Sequence, residues 1–523
     1  MTTASARAEG DSDRGSAAAS MLWAAGGAIL VFLLWRNRFF IHDDAFISLR
    51  YAMNLVEHRE LAWNIGERVE GFTNLLHLLT AAMLIAAGLE PIAALRLIGL
   101  LSVLVILIAF ERSTRHLSSL PAGPWARAAG AFLLLASSPM ALWALGGLEA
   151  PMLSALFALA FWPLIAGLNR PALSVGHFLS AGALLAAAFA VRPDAVIVTA
   201  AAALAVALRS PAGRRVGLPA AALLLAPTIL LGIGLTLWRL HMFGDVVPNT
   251  FHAKTGIDLG ARWRSGVIYL VRSVPSVPLV LLAALSLIRR SPAENRILLP
   301  ATAGLIGYAS YVVCAGGDHM PGARLLVPVL PLAALALALG VGRLARREAL
   351  TWAALAVFVS TASALSAGRH LMDPAAFAGR LVGEYIASNW PPDSLVALNT
   401  AGSPPFYATE LRFIDMLGLN DRTIARRVVG APQLEWQRVP GHGKGDGEYV
   451  LWRRPDFVIL GPAEGELASR PWFLSDLELA GSAEFQRCYR LERASIPYDD
   501  AMAAQGPKRP RPLVFTYYRR TCG

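Results

Sequence analysis

The chain has 523 residues, of which 55% are hydrophobic and only 16% charged, with a formal net charge of +11. Apolar runs longer than soluble core helices need exclude an ordinary water-soluble enzyme and indicate a polytopic α-helical membrane protein in contact with lipid. The positive balance does not argue for a nucleic-acid partner, because the arginines stand in short clusters between apolar runs, as orientation determinants do.

Residues 1–19 are a polar, small-residue segment without an early apolar stretch or a cleavage site. They read as a disordered cytoplasmic tail, with the first span, at 20–38, kept as an anchor. The apolar run from Leu75 to Leu89 falls short of the roughly 17 to 25 residues that a spanning helix needs, and another run, 92–110, follows almost at once. Charge decides its placement. If Leu75 to Leu89 lies along the outer surface, the clusters Arg112/Arg115/Arg127, Arg209/Arg214/Arg215, Arg289/Arg290/Arg296 and Arg343/Arg346/Arg347 all face the cytoplasm. The later spans are then expected at 125–144, 150–168, 173–191, 194–208, 217–240, 267–288, 297–314, 325–342 and 350–367. That makes about eleven spans, with the amino terminus inside and the segments 41–91, 146–149, 192–194, 241–266 and 315–324 outside. The span at 194–208 is short, and deleting it would invert everything downstream.

The division that follows is a tail (1–19), a transmembrane domain (20–368) whose external loop covers 41–91, and an extracytoplasmic soluble α/β domain (369–523). From about Arg369 long apolar runs disappear, and strand-like segments at 394–398, 412–416, 456–460 and 513–518 alternate with helical or turn-rich stretches. Cys488 and Cys522 lie there and could pair in an oxidising compartment, whereas Cys314, in an apolar span, is expected to pack.

Two adjacent carboxylates, Asp43 and Asp44, follow the first span. Beyond them Ala45, Leu49, Ala52, Met53 and Val56 make one apolar stripe of a helix, while Ser48, Tyr51, Asn54 and His58 lean toward another face. Such a helix would lie along the membrane interface. An N-cap accounts for one carboxylate and leaves the second, next to lipid, without a structural purpose. Asp43 and Asp44 are therefore the candidate catalytic pair. A second surface helix starts at Thr73 or Asn74. The polar, glycine-containing run between the two helices suits a pocket wall, and Arg50, Tyr51, Asn64, Glu67, Glu70 and Asn74 are its candidate lining.

The other outer segments supply cations and isolated acids. Lys254 with His252, Arg192 in the turn Arg192-Pro193-Asp194, and Arg324 are candidate phosphate partners, because such side chains offer several charged donors. The plainer reading, strongest for Arg192, is a residue that snorkels to the interface. Glu149, Asp194, Asn249, Asp318 and His319 are candidate acceptor or pocket residues, with helix capping as the plainer role of the acids. Asp43, Asp44, His252, Asp318 and His319 could supply ligands to a divalent cation, Mg2+ or Mn2+, but they show no diagnostic spacing. Asp11-Ser12-Asp13 imitates a nucleotide-sugar metal motif from within the tail, and the Gly441–Gly447 stretch lacks the end of a phosphate loop and reads as a flexible loop touching an acceptor.

The strings Asp43–Ala52, Gly66–Asn74, Pro248–Lys254 and Gly316–Arg324 resemble the bacterial terminal arabinofuranosyltransferases, and so does Ile414–Leu419 in the soluble domain. Those enzymes are part of the GT-C superfamily of polyprenyl-phosphate-dependent glycosyltransferases. The resemblance implies transfer of a pentosyl, specifically arabinofuranosyl, residue from decaprenyl-phosphoryl arabinose to a cell-envelope glycan on the outer face of the bacterial cytoplasmic membrane. A carboxylate would take the proton of the attacking hydroxyl while cations hold the departing phosphate; a retaining course would need a different use of the acid. The alternatives are a GT-C transferase of another lipid-linked sugar such as mannose, a lipid-linked sugar transporter, which should show internal repeats and mid-span charges, and a non-catalytic envelope or motility scaffold.

Overall fold

A computed structural model describes residues 2–115, 117, 122–209, 214–254, 259–273, 295–342 and 344–522, with side chains from Ala19 onward. Among these residues seven helices are long and apolar enough to cross a membrane: Ala19–Arg36, Pro91–Thr114, Ala150–Leu168, Val216–Phe243, Leu298–Ala315, Arg324–Val341 and Arg346–Ser366. The segment expected at 125–144 is two helices, Gly123–Leu135 and Ser138–Leu145, bent by 45°. Ser137-Ser138-Pro139 breaks it: proline disfavours continuation, and the Ser137 hydroxyl caps the new helix by accepting from the Met140 amide at 3.3 Å. Val175–Val191 and Ala195–Arg209 occupy two further expected places but have only 17 and 15 residues. Most of the span expected at 267–288 lies outside the described residues.

Helix Ala150–Leu168 packs between Pro91–Thr114 and Val175–Val191, which in turn lies against the long helix that ends at Phe243. Small residues let backbones approach: a Cβ on Gly182 would come within 2.6 Å of the Leu223 carbonyl, and one on Gly99 within 2.1 Å of the Ala144 carbonyl. Leu330–Val341 is apolar around its whole circumference and all twelve residues are buried, as expected of a helix in the middle of a bundle.

Two further features differ from expectation. The first helix begins at Thr2 rather than near residue 20; alanine, arginine and glutamate in the tail favour helix, against Gly10, Gly15 and the weaker helix formers Thr, Ser and Asp. Cys314 is exposed on the surface of its helix instead of packed.

The segment 41–91 forms the two expected short helices. Asp43–Glu57 buries ten of its fifteen residues. Leu75–Ala86, at twelve residues, is roughly 18 Å long, well short of the roughly 30 Å hydrocarbon layer. The carboxyl-terminal part carries a five-stranded sheet: β1 (Leu395–Leu398), β2 (Arg412–Asp415), β3 (Phe457–Ile459), β4 (Tyr489–Ile496) and β5 (Leu513–Arg520), ordered β2-β1-β3-β5-β4. β1 pairs parallel with β2 and β3, whereas β5 pairs antiparallel with β3 and β4. Cys488 and Cys522 are bonded to each other.

The sheet domain is stitched to segment 41–91 and to Asn249 by buried polar pairs. Asn64 exchanges two hydrogen bonds with the backbone of Phe413, its Nδ2 donating at 2.8 Å and its Oδ1 accepting at 3.2 Å. Arg50 donates to the carbonyls of Trp63, Pro405 and Leu411. Tyr51, whose hydroxyl is held within 41–91 by the Val69 carbonyl at 2.7 Å and the Gly71 amide at 2.9 Å, reaches the Asn420 side-chain oxygen across the seam at 3.2 Å. The Asn249 amide group donates to the carbonyls of Gly418, Leu419 and Asp421.

Candidate active site

The helix Asp43–Glu57 is capped by His42, whose Nδ1 accepts from the Asp44 amide at 3.3 Å. Neither aspartate is needed as the cap, and the two point to different surroundings. Asp43 is buried, and its Oδ1 accepts from the Ser403 amide at 2.9 Å and the Ser403 hydroxyl at 2.6 Å. Burial pushes its carboxyl up to about 6, against the opposing pull of the Ser403 hydrogen bonds. The Asp44 side chain is 43% exposed.

Asp44 looks toward a group of charges drawn from four other segments. Arg192 places Nη1 at 2.6 Å from Glu149 and meets Asp194 through both Nε and Nη2, the shortest contact being 2.7 Å. Tyr308 donates to the same Asp194 at 3.4 Å. Arg324 pairs with Asp318 at 2.7 Å and lies over the Trp143 ring. Asn74 reaches Glu149 at 3.5 Å and Ser48 at 3.0 Å. Lys254 feels the charges of Asp44, Asp318, Arg192 and Arg324, and packs beside Gly441 of the soluble domain.

The cations set the state of the acids. Although burial pushes Glu149 up, Arg192 and Arg324 hold its carboxyl at about 2. Asp318 is likewise buried yet held at about 2 by Arg324 and His319. Burial lowers the Lys254 ammonium below its usual range, partly offset by Asp44. Its residue is nonetheless exposed, so the side chain reaches the surface beside Gly441. Arg192 and Arg324 each have a carboxylate partner; among the described residues Lys254 has no ion pair, which leaves it the cation most available to an added anion.

The structure thus brings Asp44, Asn74, Glu149, Arg192, Asp194, Lys254, Asp318, His319 and Arg324 to one end of the bundle. The remaining candidates stand elsewhere. Arg50, Tyr51, Asn64 and Asn249 give their polar groups to the seam with the soluble domain, and Glu67 bridges Asn64 and Arg453 there. Glu70 pairs with Arg239 at 2.9 Å in a buried contact. These six read as pocket lining in the sequence because polar side chains beside glycine suit a cavity wall; they suit a buried backbone clasp equally well. His252 faces Asp245, at 3.1 Å, which also binds Arg426.

Among the described residues no three His, Cys, Asp or Glu side chains gather as a ligand set. Asp43 is committed to Ser403, His252 to Asp245 and Asp318 to Arg324, so the five candidate ligands do not fit a Mg2+ or Mn2+ cage.

Two contributors carried no local signal in the sequence. Ser403 lies 360 residues from Asp43. His442, in the glycine-rich stretch of the soluble domain, sits with its ring 5.3 Å from that of His319. Burial lowers it to about 4, with His319 adding to the shift.

The terminal β-(1→2)-arabinofuranosyltransferase of Mycobacterium tuberculosis is 27% identical over 359 residues, 60% of this chain and 55% of that protein. The chain resembles a terminal arabinofuranosyltransferase. It spans about half the length of that curated relative. A family model described as a domain of unknown function (DUF8728) matches residues 372–506, within the soluble domain. Among solved structures, ArnT from Cupriavidus metallidurans bound to undecaprenyl phosphate is 15% identical, with a TM-score of 0.49, covering 75% of this chain and 85% of that one. The oligosaccharyltransferase of Archaeoglobus fulgidus in complex with Zn and sulfate is 13% identical, with a TM-score of 0.49, covering 75% and 62%.

Proposed function

We propose that the protein is a membrane glycosyltransferase of the GT-C type that moves an arabinofuranosyl residue from a polyprenyl-phosphate donor to a cell-envelope glycan, at the outer face of the cytoplasmic membrane. The observation that carries this reading is the meeting of an accessible carboxylate, Asp44, with Lys254, Arg192 and Arg324 at the ends of apolar helices. A lipid-linked donor presents its phosphate and sugar at that depth. The similarity to the arabinofuranosyltransferase supports the choice of sugar.

In this reading Asp44 accepts the proton of the attacking acceptor hydroxyl, and Lys254 offsets the charge that develops on the departing phosphate. Arg192 and Arg324, held in place by Glu149, Asp194 and Asp318, supply preorganised N–H donors whose charge those acids already balance, so Lys254 carries the electrostatic part. Asp43 positions the helix through Ser403. The test is transfer from radiolabelled decaprenyl-phosphoryl arabinose to a panel of glycan acceptors by the reconstituted protein. Wild type should transfer the label and Asp44→Asn should lose at least about 100-fold; unchanged transfer by that variant would overturn the assignment.

A further inference from the structure

Near Gly441 and His442, the carboxyl-terminal domain exposes two tryptophans that the catalytic reading does not use. Trp436 and Trp472 are each 37% exposed, and their rings lie nearly parallel, 11° apart with centroids at 6.3 Å. Phe473 and His442 complete the group: Trp436 is 6.1 Å from Phe473 and 5.4 Å from His442, and His442 stacks on Phe473 at 5.9 Å. Because His442 also touches the ring of His319, the aromatic surface is continuous with the charged wall around Lys254.

The rings are held from behind by buried polar side chains. Gln437, 3% exposed, accepts through Oε1 from the amides of Gln433 and Leu434, fixing the turn that presents Trp436. Asp476, fully buried, accepts from the amides of Trp472 and Phe473 at 3.1 and 3.0 Å, and is itself bound by Asn399 at 2.9 Å. Two loops 36 positions apart in the chain are thereby fixed so that their indoles align. A surface ordered in advance loses little entropy when a ligand arrives.

Exposed aromatic area of this kind marks a contact site. Its flanks decide the ligand. Glu435 and Arg438 beside Trp436, and Arg470 beside Trp472, are exposed charged side chains of both signs. An acyl or polyprenyl chain would strand these charges against hydrocarbon. A neutral saccharide would not: the C–H edges of its rings carry partial positive charge and meet the negative faces of the indoles, while its hydroxyls reach the flanking charges.

Resting on the glycosyltransferase reading above, we infer that Trp436 and Trp472 form a stacking platform for the acceptor glycan, holding sugar units behind the one whose hydroxyl reaches Asp44. The platform makes the enzyme selective for acceptors of several residues over single sugars.

The experiment is titration calorimetry of the full chain in nanodiscs with linear arabino-, manno- and gluco-hexaosides, in parallel with donor consumption by wild type and Asp44→Asn. Wild type should bind the arabino-hexaoside, and Trp436→Ala and Trp472→Ala should each weaken it about tenfold or more. Trp472→Phe should recover most of the affinity, since it keeps a stacking face. No binding of any hexaoside, or undiminished binding by a tryptophan-to-alanine variant that melts like wild type, overturns the platform. So does a defect in those variants that appears in the KM for the donor instead of the acceptor. Absence of Asp44-dependent donor consumption by wild type, measured separately, would instead bring down the transferase reading.

Discussion

The hydroxyl of Ser403 donates to the carboxylate of Asp43 at 2.6 Å, joining the soluble domain to the first turn of the helix that carries Asp44. A Cβ on the neighbouring Gly402 would come within 2.2 Å of the Asp43 carbonyl, so the two backbones are in direct contact. This pairing gives the adjacent aspartates different work.

Asp44→Asn should therefore cost far more in turnover than Asp43→Asn, whose amide oxygen still accepts from Ser403. Side-by-side measurement of kcat in reconstituted protein checks the order; the reverse ranking would make Asp43 the base. Ser403→Ala should lower stability by about 1 to 2 kcal/mol, through loss of one buried hydrogen bond to a carboxyl group, read as a lower midpoint in thermal denaturation.

The pH dependence of stability carries a matching signature. Burial raises Asp43 from 3.8 to about 6, so the folded protein binds this proton more tightly than the unfolded chain. That contribution is complete below pH 3.8 and disappears as pH rises through about 6. The melting temperature of wild type relative to Asp43→Asn should accordingly fall between pH 4 and 6 and level off above.

Lys254 should act on donor phosphate as a charge. Lys254→Ala is expected to reduce kcat/KM for the lipid donor by at least about tenfold, with Lys254→Arg restoring part of it. Because burial lowers the ammonium below the usual 10.5, activity should decline on the alkaline side before that pH. In Lys254→Arg, which does not titrate there, the decline should move upward.

Glu149 and Arg192 form a pair in which the acid is 6% and the arginine 16% exposed. Glu149→Gln leaves Arg192 with Asp194 alone and should destabilise the protein by about 3 kcal/mol. A double-mutant cycle with Arg192→Met, followed by thermal denaturation in detergent, measures the coupling. Since Glu149 is held at about 2 rather than 4.5, the stability it provides is full above pH 4.5 and is lost as pH falls toward 2.

Asn249→Asp turns a donor that serves three carbonyls into an acceptor facing them. It should loosen the seam by about 3 kcal/mol, seen as faster cleavage of the soluble domain in limited proteolysis.

Much of this arrangement was readable along the chain, for identifiable reasons. Helices such as Pro91–Thr114 announce themselves by uninterrupted apolarity, and the arginine clusters sort the connecting segments into two groups. The segments assigned to one side by charge are the ones that meet around Asp44. β1, β2, β3 and β5 have apolar cores that match the expected strands within two residues. β4 escaped because Arg490, Glu492 and Arg493 interrupt its apolar positions, and its burial is confined largely to Tyr489 and Ile496. What the linear order hides is which polar residue answers which. Asn64 and Asn74 look alike in sequence, yet one clasps Phe413 and the other turns to Glu149. That difference depends on where the soluble domain comes to rest, hundreds of positions downstream.

The clasp through Asn64, Tyr51, Asn249 and Asp43 also limits how this architecture could be recombined. A carboxyl-terminal domain borrowed from another chain would bring polar groups at the wrong stations for those four side chains, and it would remove Ser403 from beneath the helix bearing Asp44. A workable chimera would have to exchange residues 41–74 and 249–254 together with the region beyond 369, as one inherited unit.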